Sequence, residues 1–248
     1  MTWPMTWIDE RIELWRTGQD VAARGQQLHA YLGMTPKLFE QVMAKPPRFI
    51  LGIDEVGCGC WAGPLVVGAV LAPFAWTHPL LRDSKATSGE KNRGKILEQL
   101  PVGGDVRYFL RRTPSTGVDK VGVRRARAEA FTAICQTLVH LEDDVLVVID
   151  GDVPALGFEQ ALLPKADTFV PHVMAASIVA KVSRDTEMMQ AAKQYPQYGF
   201  EKHKGYGGGE NHQHTIALKK HGPCPLHRRS FRPIQKYFAS STSGPTGD

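Results

Sequence analysis

The chain has 248 residues, 42% of them hydrophobic and 22% charged, and a formal net charge of +5. This balance is typical of a globular protein with room for one large domain and a small accessory unit, and its mild basicity favours a polyanionic partner. Four cysteines are too few for a disulfide scaffold, so we expect reduced thiols and a cytoplasmic protein. No apolar run approaches the roughly 20 residues that span a bilayer, so we expect no membrane association, and we predict no export signal.

Residues 1–47 are predicted to form a helical N-terminal extension. Apolar residues recur near helical spacing from Trp7, while Thr35 and Pro36 suit the N-cap and the first position of a later helix. Pro46 and Pro47 end that helix. The sequence leaves two roles open, packing on the rest of the protein or an added nucleic-acid contact. We favour packing, because tryptophans are usually buried.

The next segment, 48–238, alternates predicted strands and helices. Strands are predicted on both sides of a glycine-rich turn in 48–73, at 105–113 and at 145–150; helices are predicted within 82–100, 121–141 and 167–195, the last after a short extended piece. This order predicts an α/β domain with a mixed β-sheet flanked by helices, then a basic C-terminal region of helices and loops. The tail at 239–248 is predicted to be disordered.

Acidic residues follow the apolar runs of two predicted strands. Asp54 and Glu55 come after Phe-Ile-Leu-Gly-Ile, Asp150 comes after Val-Leu-Val-Val-Ile, and Asp167 begins the next extended piece. Ligands bind at the carboxyl ends of strands in open α/β sheets, so these carboxylates converge if the strands are neighbours. A single acid of this kind is often only a cap or a loop residue. Four of them in apolar surroundings favour a Mg²⁺ or Mn²⁺ site for phosphodiester hydrolysis.

Several long motifs resemble the ribonuclease HII family, the type 2 ribonucleases H. They cover roughly residues 48–234 in the family's order: GIDEVGCGCWAGPLVVGAVL, RDSK, VVIDG, AASIVAKVSRD, YPQYGFEKHKGYG and HGPCPLHRRSFRPI. The resemblance implies a ribonuclease H-like fold and cleavage of RNA paired with DNA. It also implies incision at ribonucleotides embedded in duplex DNA, so both kinds of duplex are expected partners of a monomeric enzyme.

The resemblance also implies which residues act. Asp54, Glu55, Asp150 and Asp167 occupy the family's catalytic and metal-binding acidic positions. The expected substrate-binding residues are the loop that reads the ribonucleotide, the tyrosine that packs on its sugar and a set of basic residues for the phosphates: Gly57, Cys58, Gly59, Tyr206, Lys85, Lys181, Arg184, Lys202 and Lys204. Each basic residue has an ordinary alternative as part of a solvated surface.

Alternation along a strand sends neighbouring side chains to opposite sides. We therefore expect Asp54 to face the metals most directly, and Glu55 to reach them only because the backbone turns at Gly57.

Cys58 is a departure, because the family has arginine at this position. A neutral thiol removes a charged contact to the ribonucleotide, unless a basic residue from elsewhere fills the same space. Two alternatives therefore remain open: a hybrid-binding module with weak or lost turnover, and a related nuclease with shifted junction preference. The acidic positions are intact, which argues against lost turnover.

Overall fold

A computed structural model describes residues 7–17, 19–20, 26–81, 90–100, 103–142 and 144–239. The strands are β1 (Phe49–Val56), β2 (Leu65–Pro73), β3 (Arg107–Thr113), β4 (Val145–Asp150) and β5 (Gln160–Leu163). The helices are α1 (Trp7–Thr17), α2 (Leu28–Tyr31), α3 (Pro36–Ala44), α4 (Glu90–Gln99), α5 (Ser115–Val121), α6 (Val123–Leu138), α7 (Pro171–Gln194), α8 (Phe200–His203), α9 (Gln213–His221) and α10 (Arg232–Ala239). Short 3₁₀ turns lie at Pro79–Leu81, Ala166–Thr168 and Pro196–Tyr198.

The five strands form one mixed sheet in the order β3-β2-β1-β4-β5. The pairs β3–β2 and β2–β1 are antiparallel, while β1–β4 and β4–β5 are parallel. Ile53 of β1 pairs with Ile149 of β4. Asp54 and Asp150 directly follow these paired residues, so they lie side by side near the C-terminal ends of the two strands, as the sequence predicts.

Helices cover both faces of the sheet. Leu51 and Ile53 of β1 face α6 and pack with Phe131, whereas Ile50 faces the opposite side, where α7 lies. α7 approaches β2 so closely that a side chain at Gly68 would overlap the carbonyl oxygen of Ala176. This close packing brings the middle of α7 to the edge where Asp54 lies.

The N-terminal helices contribute to the same hydrophobic core as the sheet. Trp7, Ile8 and Leu38 are buried in one cluster with strand residues such as Ile50 and Val148. The predicted cap is confirmed, since the Thr35 side chain accepts a hydrogen bond from the Leu38 amide at 3.2 Å. The boundary at residue 47 stays a prediction.

Two features differ from the sequence predictions. Strand β5 was not predicted, since its four residues form too short an apolar pattern. Asp167 does not begin an extended piece but lies in a 3₁₀ turn after Lys165, whose φ of 62° starts that turn. The region after Tyr195 combines α8, α9 and α10 with loops, as predicted. None of the described helices combines the length and apolarity needed to cross a membrane.

Candidate active site

Asp54 lies near the C-terminal end of the central strand β1 and is only 6% exposed. Its Oδ1 accepts a hydrogen bond from the Glu55 amide at 2.7 Å, and its carboxylate also bonds to the Ser177 side chain on α7. Burial, together with the charges of Glu55 and Asp150, raises the pKa of Asp54 to about 7, although the Ser177 hydrogen bond opposes the rise. Asp54 is thus a carboxyl group whose ionised form lacks a compensating positive charge.

Glu55 points to the opposite side of the strand, as alternation predicts. Its Oε1 forms an ion pair with Arg127 Nη2 on α6 at 3.0 Å and accepts a longer contact from Cys58 Sγ at 3.4 Å. Its other oxygen, Oε2, is buried without a hydrogen-bond partner. Burial raises the pKa of Glu55, and Arg127 opposes that rise. One oxygen of Glu55 is therefore satisfied, and the other is available to a cation.

Asp150 connects the end of β4 to the turn that carries Asp167. Its Oδ1 accepts a hydrogen bond from the Ala166 amide at 2.6 Å, and the Asp167 amide also donates to its side chain. Burial raises the pKa of Asp150, and the nearby charge of Asp167 adds to that rise. The 3₁₀ turn thus places a second carboxylate beside Asp150.

The carboxylates of the site repel one another: the charges of Glu55 and Asp150 raise the pKa of Asp54, and that of Asp167 raises the pKa of Asp150. Among the described residues, no three His, Cys, Asp or Glu side chains lie close enough together to hold a metal ion. The residues nevertheless fit a hard cation, because they offer only oxygen donors, their charges interact, and Glu55 Oε2 has no partner. The four-residue metal set stays a prediction.

The glycine-rich turn follows directly after β1. Gly57 has a φ of 94°, and a side chain there would lie 2.8 Å from the Pro64 carbonyl oxygen. Cys58 is partly buried, whereas Gly59 is exposed, and a Cβ there would meet no atom within 4 Å. The backbone at Gly59 is therefore open to a ligand, as the predicted role requires.

Two buried arginines, Arg184 and Arg228, hold this turn by hydrogen bonds to backbone carbonyl oxygens. Arg184 on α7 donates to the carbonyl oxygens of Pro64 at 2.9 Å, Lys204 at 2.9 Å and Ala62 at 3.1 Å. A phosphate contact is not supported for Arg184, because its side chain is fully buried and its donors are used by the backbone.

Arg228 was not singled out from the sequence. It is also fully buried and donates to the carbonyl oxygens of Gly63 at 3.0 and 3.1 Å and of Cys58 at 3.0 Å. Burial lowers its pKa to about 10. Arg228 lies in the sequence HRRSF. Such a sequence also fits a basic surface, and only the three-dimensional structure shows that this arginine is buried.

Tyr206 lies beside the turn and is 40% exposed. Its hydroxyl interacts with Cys60, and burial together with Cys60 raises its pKa to about 12, so it is a neutral hydrogen-bonding group. Lys181 Nζ lies 5.9 Å from the centre of its ring. The amide of Trp61 donates to the Gly205 carbonyl at 2.9 Å, so the two glycine-containing loops are joined by their backbones.

The other predicted phosphate contacts differ in accessibility. Lys202 is exposed, and Lys181 is partly exposed and pairs with Asp185 at 2.7 Å. Lys204 is only 8% exposed, and its Nζ donates to the Glu201 carbonyl at 2.7 Å. Lys85 lies outside the described residues. Lys181 and Lys202 therefore remain the best-placed predicted cations.

Comparison with known proteins now decides the family. A family model described as ribonuclease HII matches residues 51–234. The chain belongs to the ribonuclease HII family. A ribonuclease HII from Endomicrobium trichonymphae is 40% identical over 77% of this chain and 89% of that protein. One from Chloroflexus aggregans is 38% identical over 81% of this chain and 95% of that protein.

A solved structure supports the ribonuclease H-like fold. The ribonuclease H2 from Pyrococcus horikoshii matches with a TM-score of 0.65 at 24% identity, over 79% of this chain and all of that chain. Membership of the ribonuclease HII family makes this protein an endoribonuclease of the ribonuclease H type 2 class. Enzymes of this family hydrolyse RNA in RNA–DNA hybrids and depend on metal ions.

Proposed function

We propose that this ribonuclease HII also incises duplex DNA at embedded ribonucleotides, using Mg²⁺ or Mn²⁺ bound by Asp54, Glu55, Asp150 and Asp167. The products carry 5′-phosphate and 3′-hydroxyl ends. The observation that carries the proposal is the placement of Asp54 and Asp150 beside each other at the ends of parallel strands, with an open glycine turn next to them. We further propose that the enzyme is a cytoplasmic monomer.

The chain's own residues perform distinct tasks. Asp54 and Glu55 offer their carboxylates on opposite sides of β1, one supported by Ser177 and one by Arg127. Asp150 is oriented by two amides of the turn that carries Asp167. Divalent ions held by these carboxylates would supply Lewis acidity for activating water and stabilising the leaving 3′-oxygen.

Substrate recognition is assigned to the surface next to the carboxylates. The turn at residues 57–59, whose backbone is open at Gly59, lies against the ribonucleotide, and the partly exposed ring of Tyr206 packs on its sugar with a neutral hydroxyl near the 2′-OH. Lys181 and Lys202 contact phosphates, which position the duplex without reading its sequence. Lys85 is proposed for the same role from the sequence alone.

Two duplexes test the proposal, one with a single ribonucleotide and one with a long RNA strand paired to DNA. In Mg²⁺ or Mn²⁺ the wild type should cleave both, and mass spectrometry should find the stated ends. Asp150→Asn should lower the rate on both by at least about a hundredfold, because it neutralises a ligand of ions that contribute several kcal/mol.

Asp105→Asn is the matched control, since Asp105 is exposed and lies outside the site. Cleavage of the hybrid alone would support the alternative of a shifted junction preference. Binding without cleavage of either duplex would support the alternative of a binding module. An Asp150→Asn variant as active as Asp105→Asn would remove Asp150 from the metal site.

A further inference from the structure

A positive charge from another element lies beside the turn in which cysteine replaces the family's arginine. Arg127 extends from α6 to the end of β1, where its Nη2 lies 3.0 Å from Glu55 Oε1. The same nitrogen lies 3.2 Å from where a Cβ would stand at Gly151, the residue after Asp150. The charge of Arg127 also acts on the Cys58 thiol and on the Asp150 carboxylate. Its guanidinium therefore lies between the carboxylates and the turn.

Much of this guanidinium is not used by the protein. Nη1 lies 3.7 Å from Asp152 Oδ1, which is beyond hydrogen-bonding distance, and Asp152 itself is largely exposed. Nε is buried without a hydrogen-bond partner. A guanidinium carries five N–H donors in a planar fork that matches the oxygens of a phosphate. Glu55 occupies one part of that fork and Nε is buried, so Nη1 is the part of the guanidinium placed to reach a ligand.

The turn at residues 57–59 cannot supply a positive charge of its own. The Cys58 thiol is neutral, because burial raises its pKa to about 12. Arg184 and Arg228, the other arginines near the turn, are fully buried and committed to backbone carbonyl oxygens. Arg127, by contrast, is 16% exposed at its side chain. Among the arginines that approach the described turn, Arg127 is the one placed to contact a substrate.

We propose that Arg127 is a substrate-positioning residue that supplies, from α6, the charged phosphate contact missing at position 58. The phosphate is that of the nucleotide held against residues 57–59, so the inference rests on the proposed recognition of ribonucleotides by this turn. The ion pair with Glu55 holds the guanidinium in place before the substrate arrives.

Binding without divalent ions tests this directly, because it separates Arg127 from the chemical step. Fluorescence anisotropy in EDTA would measure the affinity of the full-length protein for the single-ribonucleotide duplex. Arg127→Gln should weaken binding by about tenfold or more, as expected for a lost hydrogen bond to a charged group. Arg127→Lys should recover part of the loss, because it keeps the charge without the planar fork.

Replacement of the charge from position 58 is the sharper test. Cys58→Arg should raise the affinity of the Arg127→Gln protein by about tenfold, and that of the wild type by less than about threefold, since the wild type already has a cation there. In steady-state kinetics with Mg²⁺, Arg127→Gln should raise KM more than it lowers kcat.

Arg125→Gln is the matched control: it removes the same charge from α6, but Arg125 is exposed and pairs with Glu129. Thermal melting followed by circular dichroism would check the fold of each variant. Equal affinity of Arg127→Gln and Arg125→Gln would overturn the proposal and leave Arg127 as only a structural partner of Glu55. So would a well-folded double variant in which Cys58→Arg restores nothing.

The proposed incision at ribonucleotides can fail separately. A wild type that cleaves the long hybrid but not the single-ribonucleotide duplex would refute that incision. The comparison of Arg127→Gln with Arg125→Gln on the long hybrid would then still decide the role of Arg127.

Discussion

The position of Asp54 costs the folded protein free energy in the absence of a cation. The side chain is buried against α7, its neighbours Glu55 and Asp150 are also acidic, and its pKa is raised from 3.8 to about 7. The unfolded chain ionises this carboxyl near pH 4, whereas the folded protein resists ionisation until about pH 7. Stability attributable to Asp54 is therefore present at low pH and is lost as the pH rises from about 4 to 7.

Asp54→Asn should stabilise the metal-free protein at pH 8 while abolishing cleavage. The amide oxygen can still accept a hydrogen bond from the Glu55 amide and the amide group can still bond to Ser177, but it carries no charge to desolvate. The rise of this pKa from 3.8 to about 7 sets an upper limit of about 4 kcal/mol on the gain. Urea unfolding in EDTA at pH 8 and pH 5 would measure it, and the gain should be smaller at pH 5.

Asp105→Asn again provides the control, because an exposed carboxylate has no comparable cost. Added Mg²⁺ should stabilise the wild type and leave Asp54→Asn nearly unchanged. A lower stability of Asp54→Asn at pH 8 would show that the carboxylate is compensated in the fold and that the burial argument is wrong.

Single residues were predictable where a local pattern determines their direction. Alternation along β1 was enough to send Asp54 and Glu55 to opposite faces, where they meet Ser177 and Arg127. The contact with Arg127 was not predictable, because the α6 sequence fits an ordinary amphipathic helix with a charged face. Arg184 was predicted to contact phosphates because it lies three residues after Lys181 on one helix face, and only the three-dimensional structure shows the carbonyl groups that its side chain binds.

At the level of elements, a chain of histidine hydrogen bonds joins the C-terminal helices to the Tyr206 loop. The Cys224 amide donates to His227 Nδ1 at 2.9 Å, and His227 Nε2 lies 2.9 Å from His214 Nε2. His214 Nδ1 in turn lies 2.9 Å from the Tyr206 carbonyl oxygen. These contacts assign one proton to each ring: His227 donates to His214, and His214 donates to Tyr206. Both rings must be neutral for this arrangement.

His227→Phe should therefore destabilise the protein and weaken its dependence on pH. Burial lowers the pKa of His227 to about 4 and that of His214 to about 3, from 6.5. The stability that these neutral rings provide is complete above about pH 6.5 and falls as the pH drops toward 4, because the unfolded chain then binds more protons. Phenylalanine keeps the ring packed near Tyr198 but leaves His214 Nε2 without a donor, at a cost of about 1–3 kcal/mol.

Urea unfolding at pH 7.5 and pH 5 would measure both effects, and binding of the single-ribonucleotide duplex would report on the Tyr206 loop. His221→Phe is the control, since His221 is an exposed residue of α9 in the same region. If His227→Phe and His221→Phe have equal stability at both pH values, the histidine chain does not support this region.

Elements were predictable from the sequence to the extent that they are long. The 16 residues of α6 and the apolar run of β4 have clear periodicity, whereas the four residues of β5 do not. The turn that carries Asp167 depends on amides that bind Asp150, and such a contact between distant residues has no local signature. The pair of acids was therefore expected, but the way in which the turn holds them was not.

At the scale of the whole molecule, the N-terminal helices and the sheet share one core. Ile8 is 2% exposed in a cluster that includes Ile50, Val148 and Val173. The Leu162 amide of β5 also donates to the Gly33 carbonyl at 2.9 Å, so the segment after α2 covers the edge strand. This arrangement favours packing as the role of the described N-terminal helices, and it implies that they unfold together with the catalytic part.

Ile8→Ala should accordingly destabilise the entire protein, although it is remote in sequence from every catalytic residue. The loss of a buried isoleucine side chain costs about 2–5 kcal/mol. Leu141→Ala is the control, because Leu141 is 46% exposed and its truncation should change stability by less than about 0.5 kcal/mol. Urea unfolding followed by both circular dichroism and tryptophan fluorescence should give coincident transitions that shift together in Ile8→Ala. An early, separate fluorescence transition, with the main circular dichroism transition unchanged, would show instead that residues 1–47 form an independent unit, and the shared core would then contribute little to the stability of the catalytic part.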